Sequence, residues 1–571
     1  MAARPAAGPT AASPWGLNTH IATRYPAPGQ LARPAARVAQ LGVGWAREDF
    51  AWPRIEPRAG AWDWRVTDEM VAALGAHDVH ILGRLGYSVG WATADPSDGT
   101  SDQSMSMPHI AAWERYIRAT VTRYRDHVDH WEIWNEPDNA PFWNGTPDPK
   151  AYATLLGSAY RTIKAVDPDA VVLNGGVSPF DTRFLSGLAD AGAWNSFDVL
   201  ALHPYTHPTK PEDGQIAASG IGGVRGLLNR YGSKPIWVTE YGWESGISPH
   251  NPRGEVDEQR QANYLVRGAL HLLAQPEVEK IFWYNFHDDR NDSFGLFRFG
   301  NSYTDYSLPK AAFRAYTTLT HQLAGARFVG EIDDGNVRRV VESWEQPDTW
   351  AVASEHGSLE PSARGAYSGA FGRRLAYRFG TASNDYVAFK PREPLAIGFA
   401  AAVGLWVYGN NSGHLMQIQL IDQGGEIVQF PLGKVGGPEW ARMQMPIRGP
   451  AQSGNRLGGG NNNGKLDGKV WVHALVLDDQ PNQARVQGAI MVDDLTAVGG
   501  VPTYTFRWQR GAQTIDVVYS PQGANMRLPT TSTTATVVDR DGAQTVLPAV
   551  NGAIELRADA RPRYVHHTPA Q

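Results

Sequence analysis

From about residue 13 to about residue 325, short apolar segments return at roughly 30- to 45-residue intervals, separated by stretches of helical periodicity. They are WGLNTH from Trp15, VGWARED from Val43, VHILGRLG from Val79, HWEIWNE from His130, AVVLNGG from Ala170, FDVLALHPY from Phe197, PIWVTEYGW from Pro235 and KIFWYNFHD from Lys280. Each is dense in apolar residues, as strands covered on both faces must be. Strand and helix alternating in this way predict an α/β fold, a (β/α)8 TIM barrel. A doubly wound open sheet is the alternative, but no Gly-rich phosphate fingerprint follows the first segment.

One intervening helix can be read from spacing. Ala262, Leu265, Val266, Ala269, Leu270 and Leu273 form a single apolar stripe, and Asp257 is placed to cap it. In a barrel, reactive side chains stand at the C-terminal ends of the strands. Several segments end in polar groups there: Arg47 on the second, Asn135 and Glu136 on the fourth, His203 and Tyr205 on the sixth, Glu240 on the seventh. A buried strand rarely ends in a glutamate without a reason. Two opposed carboxylates are what glycoside hydrolysis requires, one to protonate the leaving oxygen and one to attack the anomeric carbon or activate water.

The ordered set resembles the clan A glycoside hydrolases. WNEP at Trp134–Pro137 is similar to the clan's acid/base strand, VTEYGW at Val238–Trp243 to its nucleophile strand, and HPY at His203–Tyr205 to its sixth-strand His-x-Tyr. Arg47 matches the second-strand arginine and Trp283 the eighth-strand tryptophan. WPRIEPRAGAWDW from Trp52 brings the resemblance nearest to glycoside hydrolase family 39, with its bacterial exopolysaccharide- and oligosaccharide-cleaving relatives. It covers about residues 13–325.

The resemblance implies a retaining glycoside hydrolase with Glu136 as general acid and then base, and Glu240 as nucleophile. Arg47 and the Tyr205 hydroxyl would favour ionised Glu240, which would keep Glu136 protonated for the first step. Asn135 would bind the sugar 2-hydroxyl and Trp283 would lie beneath the sugar. His203 either contacts substrate or orients its neighbours. Trp243, Trp91, Trp143 and Tyr87 follow strand ends and either line subsites or pack inside. Retention requires carboxyl groups about 5–5.5 Å apart. HDDRND from His287 reads as a solvated loop or a set of sugar contacts. No HExxH or EF-hand pattern is present, so neither a metal nor a cofactor is expected. A transglycosylase, or a non-catalytic glycan-binding barrel, are the competing readings.

After about residue 326 helical periodicity gives way to short alternating segments with Gly, Asn and Pro turns, the pattern of β-sandwich. The reading divides the chain into a disordered segment at 1–12, the barrel at 13–325, a small accessory β-sandwich at 326–342 plus 500–571, and a jelly-roll carbohydrate-binding-like module at 343–499, inserted into that sandwich. Two sandwiches in series are the alternative. Trp406, Tyr408 and Trp440 are candidate sugar contacts in the jelly roll, and RLGGGNNNGKLDG from Arg456 reads as a mobile loop.

At 571 residues the chain needs two or more cores. A net charge of −6 gives no case for nucleic acid or an anionic membrane surface. No apolar run approaches the roughly 20 residues that span a bilayer. The chain contains no cysteine, which removes disulfides, thiolate metal sites and thiol nucleophiles together. The Ala/Pro-rich start reads as a mature N-terminus behind an added methionine, which implies a secreted, periplasmic or cell-surface enzyme. The expected partner is a carbohydrate substrate. Oligomeric state is open.

Overall fold

The computed structural model describes residues 12–570 apart from 25–27, 95–101, 213–220, 249–250, 333–337, 347–348, 355, 363–365, 381–384, 399, 453, 481–485 and 500–502. All but the last residue of the N-terminal segment 1–12 therefore lies outside the described residues.

All eight apolar segments form strands of one parallel sheet. They are β1 (Trp15–Asn18), β2 (Trp45–Phe50), β3 (His80–Leu85), β4 (His130–Ile133), β5 (Val171–Asn174), β6 (Leu200–Leu202), β7 (Ile236–Tyr241) and β8 (Val278–Trp283). The hydrogen-bonded order is β5-β4-β3-β2-β1-β8-β7-β6. Parallel bridges Leu173–Val199 and Val177–Leu202 draw the two end strands together and nearly close the sheet. The fold is a TIM barrel, followed by antiparallel β-sheets. The apolar stripe read from spacing is the buried face of helix Glu258–Leu273, and the Asp257 carboxylate caps it by accepting from the Arg260 N–H at 2.8 Å.

Strand alternation decides what enters the barrel. Trp45, Leu82, Leu173, Val199, Ala201, Trp237 and Phe282 plug the interior as a separate small core. Lys280, on the same side of β8 as Phe282, lies 4.8 Å and 5.1 Å from the Trp45 and Trp237 rings. The other parity faces the helices.

The tail strands form one eight-stranded antiparallel sheet. Arg327–Glu331 forms its edge, against Tyr504–Arg510. Tyr504, Phe506, Trp508 and Tyr519 of this sheet join the barrel's outer core. Buried Arg540 donates to Gln259 O and to Asn263 Oδ1 at 3.0 and 2.7 Å, and His271 Nε2 lies 2.7 Å from the Tyr519 hydroxyl.

Between those strands in sequence lie two further antiparallel sheets packed around their own core. The strand Arg338–Glu342, grouped by sequence with the tail sandwich, pairs instead with Gln487–Val498 in one of these sheets. Short alternating strands carry no mark of their partner, so the sequence could not assign it. This two-sheet unit meets the barrel at helix Gly222–Tyr231. There Arg225 Nη1 lies 3.2 Å from Glu439 Oε1, and a Cβ on Gly437 would be 2.7 Å from Gly226 Cα.

Candidate active site

At the C-terminal mouth of the barrel, β2, β4, β6 and β7 bring Arg47, Asn135, Glu136, His203, Tyr205 and Glu240 together. Arg47, buried on the inward side of β2, holds four groups. Its Nε contacts Glu132 Oε2, Nη1 donates to Glu240 Oε1 at 2.6 Å and to Asn18 Oδ1 at 2.8 Å, and Nη2 donates to Asn135 Oδ1 at 2.8 Å. The second Glu240 oxygen accepts the Tyr205 O–H at 2.7 Å. Burial pushes the Glu240 carboxyl up, but His203, Arg47 and the Tyr205 hydroxyl outweigh it and hold the group below the ordinary Glu value.

Glu240 reaches the mouth through an irregularity in pairing. Along β7–β8, Ile281 is opposite Val238 and Trp283 is opposite Tyr241, so β7 carries one extra residue at Thr239–Glu240. A bulge re-aims side chains, and here both Thr239 and Glu240 join the site. Glu136 arrives by a different device. Beyond β4 the backbone turns through left-handed conformations, with φ of +74° at Trp134 and +42° at Glu136. Such positions cost energy in residues with a Cβ and cluster at functional sites. The turn is held by Glu136 N–H donating to Gly175 O at 2.9 Å.

Glu136 Oε1 lies 2.8 Å from His203 Nδ1, and Oε2 accepts the Asn139 side-chain N–H at 3.0 Å. His203 Nε2 lies 3.0 Å from Thr239 Oγ1, and the Thr239 O–H donates to Glu132 Oε1 at 2.9 Å. Burial opposes a charge on His203, yet Glu240 and Glu136 outweigh it and raise its pKa. When protonated, the ring can donate from both nitrogens. A continuous circuit then runs Glu136, His203, Thr239, Glu132, Arg47, Glu240. With His203 at 0% exposure, the ring orients the carboxylates and does not face substrate. A carboxylate oxygen of Glu136 and one of Glu240 lie within 4.8 Å of each other.

Two of the expected sugar-contacting tryptophans are buried away from the mouth. Trp283 is 0% and Trp243 1% exposed. Trp283 lies on the outward parity of β8, where its N–H donates to Phe294 O at 3.2 Å and its ring meets Tyr241 and Trp243. Trp243 packs over Gly268 of helix Glu258–Leu273 and donates to Thr209 O. The inward residue is the next one, half-buried Tyr284, which lies edge-on to Tyr205 and His20 with centroids 6.4 and 5.9 Å apart. Counting alternation from Phe282 finds it. Tyr87 and Trp143 are buried too.

Other participants were missed although their signal was present. Glu132 and Thr239 share inward parity with His130 and Trp237. On β2, Asp49 shares parity with Arg47. It lies 2.9 Å from His20 Nδ1, accepts from Arg84 Nε at 2.7 Å, and is held well below the usual Asp range because Arg84 and His20 outweigh its burial. The loop after β8 is less solvated than its composition suggests. His287 and Asp288 are buried, and Asp288 accepts from Lys310 Nζ at 2.7 Å.

Among the described residues, Glu136, His203 and Glu240 form the one group of acids and histidines close enough to share a metal ion. The donor set suits a cation poorly. Both Glu240 oxygens carry donors, one of them a guanidinium, and both Glu136 oxygens are likewise engaged.

Residues 110–305, which contain both carboxylates, match the family model described as a glycosyl hydrolase catalytic core. That stretch of the barrel is similar to a glycosyl hydrolase catalytic core. The structure is similar to that of a family 39 glycoside hydrolase from the gut symbiont Bacteroides cellulosilyticus WH2, with a TM-score of 0.53 and 17% identity, over 97% of this chain and 80% of that one. A family 39 β-xylosidase from Caulobacter crescentus aligns over 70% of this chain and 84% of its own, with a TM-score of 0.41 and 18% identity. A family 30 endoxylanase from Clostridium papyrosolvens C71 aligns over 97% and 96%, with a TM-score of 0.47 and 9% identity. No curated protein matches the chain in sequence. No described helix is long and apolar enough to cross a membrane.

Proposed function

We propose that the protein is a retaining glycoside hydrolase that cleaves O-glycosidic bonds in a poly- or oligosaccharide by double displacement. The observation that carries this reading is the approach of the Glu136 and Glu240 oxygens to within 4.8 Å. Retaining pairs lie about 5–5.5 Å apart, whereas inverting pairs need about 6.5–9.5 Å to admit a water.

Glu240, ionised by its neighbours, attacks the anomeric carbon while Glu136 protonates the departing oxygen. Glu136 then deprotonates the water that releases the sugar. Asn135 gives its amide oxygen to Arg47, which leaves its N–H2 group to donate to the sugar 2-hydroxyl. Tyr284, not Trp283, offers the aromatic surface at the mouth. A polymeric substrate also places the enzyme's work in the secreted, periplasmic or cell-surface space.

The test is a glycan screen of parent and Glu240→Ala on aryl glycosides, plant polysaccharides and bacterial exopolysaccharides, with products weighed by mass spectrometry and the first-formed anomer read by NMR. Release with retention by the parent alone supports the reading. Transfer to a second sugar in place of water makes the protein a transglycosylase. Binding without release makes it a non-catalytic glycan-binding barrel, and undiminished release by Glu240→Ala removes Glu240 as nucleophile.

A further inference from the structure

The jelly roll presents a second aromatic surface. One of its sheets runs Gly357–Ser362, Gly372–Arg378, Gln487–Val498, Ala402–Tyr408, Trp440–Pro446. Along Ala402–Tyr408, Leu405 and Val407 enter the core, while Trp406 and Tyr408 alternate with them and are only half-buried. Cross-strand register sets Trp440 opposite Tyr408. Tyr367 lies flat over Trp406, with centroids 3.8 Å apart and planes 16° from parallel. Trp440 meets both Tyr367 and Tyr408 edge-on, at 5.9 and 5.8 Å.

This stack is fixed rather than incidental. The N–H groups of Tyr367 and Ser368 donate to Asp493 Oδ2 at 2.9 and 3.2 Å, and Asp493 is fully buried. Trp406 therefore backs a tyrosine that is 43% exposed as a residue. A cavity of about 440 Å³ lined by Tyr408, Met491, Asn410 and Arg374 meets the aromatic cluster at Tyr408. A ring pinned from below and open above, flanked edge-on by a tryptophan, matches the apolar C–H face of a pyranose.

We propose that this face is a second, non-catalytic glycan-binding site, with Tyr367 as the stacking platform and Trp440 and Tyr408 as its flank. The proposal rests on the carbohydrate reading of the barrel. The site is held at a set position relative to the barrel, since Glu439, the residue before Trp440, pairs with Arg225. Substrate bound there is presented by a fixed surface and not by a tethered one.

The experiment is affinity electrophoresis of full-length Glu240→Ala protein in gels containing xylan, mixed-linkage β-glucan, galactomannan, alginate or xanthan, with Tyr367→Ala and Trp440→Ala added singly. Tyr367 is exposed, so its replacement leaves the fold intact, and circular dichroism checks this. The expected result is retardation in at least one gel, with a dissociation constant at least tenfold weaker in both added variants. Hydrolysis of short soluble glycosides by Tyr367→Ala with Glu240 intact should match the parent. No retardation in any gel overturns the proposal, as does retardation unchanged by both substitutions, which would assign binding to the barrel cleft. Either result leaves the hydrolase reading standing, because that reading is tested by product release.

Discussion

The Tyr205 hydroxyl donates to Glu240 Oε2 at 2.7 Å. It acts with His203, Arg47 and His20 to favour the ionised form of this buried carboxylate. Tyr205→Phe removes a hydrogen bond to a charged group, worth about 1.5–3 kcal/mol. The expected loss in kcat/KM is about 10- to 100-fold. Without the donor, Glu240 titrates at higher pH, so the acid limb of the kcat/KM profile moves upward. A pH–rate profile of both proteins checks both effects.

His203 should mark the alkaline side of stability. Its pKa is raised in the folded protein, because Glu240 and Glu136 outweigh burial. Its contribution is therefore complete below the unfolded value near 6.5 and is lost as the pH rises through the folded value. Melting temperature measured from about pH 6 to about pH 9 should fall more steeply for the parent than for His203→Gln. Parallel curves would show that the ring contributes no titrating charge.

Gly176 has a φ of +22°, and a Cβ built on it would lie 2.0 Å from His203 Nε2. Gly176→Ala must displace the imidazole and, with it, Glu136. A shift of about 1 Å at the reacting groups costs about 100-fold in rate. Activity should fall by that order, and the crystal structure of the variant should show His203 moved away from Thr239.

Trp283 and Tyr284 are neighbours in sequence with opposite assignments. Trp283→Ala should act on stability, at roughly 3–5 kcal/mol for a buried tryptophan. Tyr284→Ala should lower kcat/KM by about tenfold with little change in melting temperature, the loss expected of a contact made by bound sugar. Paired melting and kinetic measurements on the two variants separate these outcomes.

The repeat of apolar segments was enough to read the barrel, because a parallel strand covered on both faces has few other sequence solutions. Glu136 and Glu240 were legible because charged residues at strand ends stand out against such a background. Their neighbours were harder. Glu132, Thr239 and Asn18 sit inside strands, where parity alone decides whether a polar side chain meets the helices or the mouth. The extra residue in β7 breaks that parity at Thr239–Glu240. At the end of β8, resemblance to a family residue points to Trp283, whereas strand alternation brings Tyr284 to the inward side. The left-handed turn at Trp134 and Glu136 is held by Gly175, which follows another strand, β5, so nothing local announces it.

Arg47 is shared between two carboxylates, Glu132 and Glu240. In the proposed cycle Glu240 becomes a neutral ester for part of every turnover. A guanidinium with Glu240 as its sole counter-ion would then be stranded in a buried site, at a cost of several kcal/mol. Glu132 prevents this. It never reacts, yet it keeps the barrel electrically balanced while the nucleophile is occupied, so the covalent intermediate forms without leaving an unpaired cation behind. On the proposed mechanism, a carboxylate buried behind the nucleophile thereby helps set how long that intermediate lives.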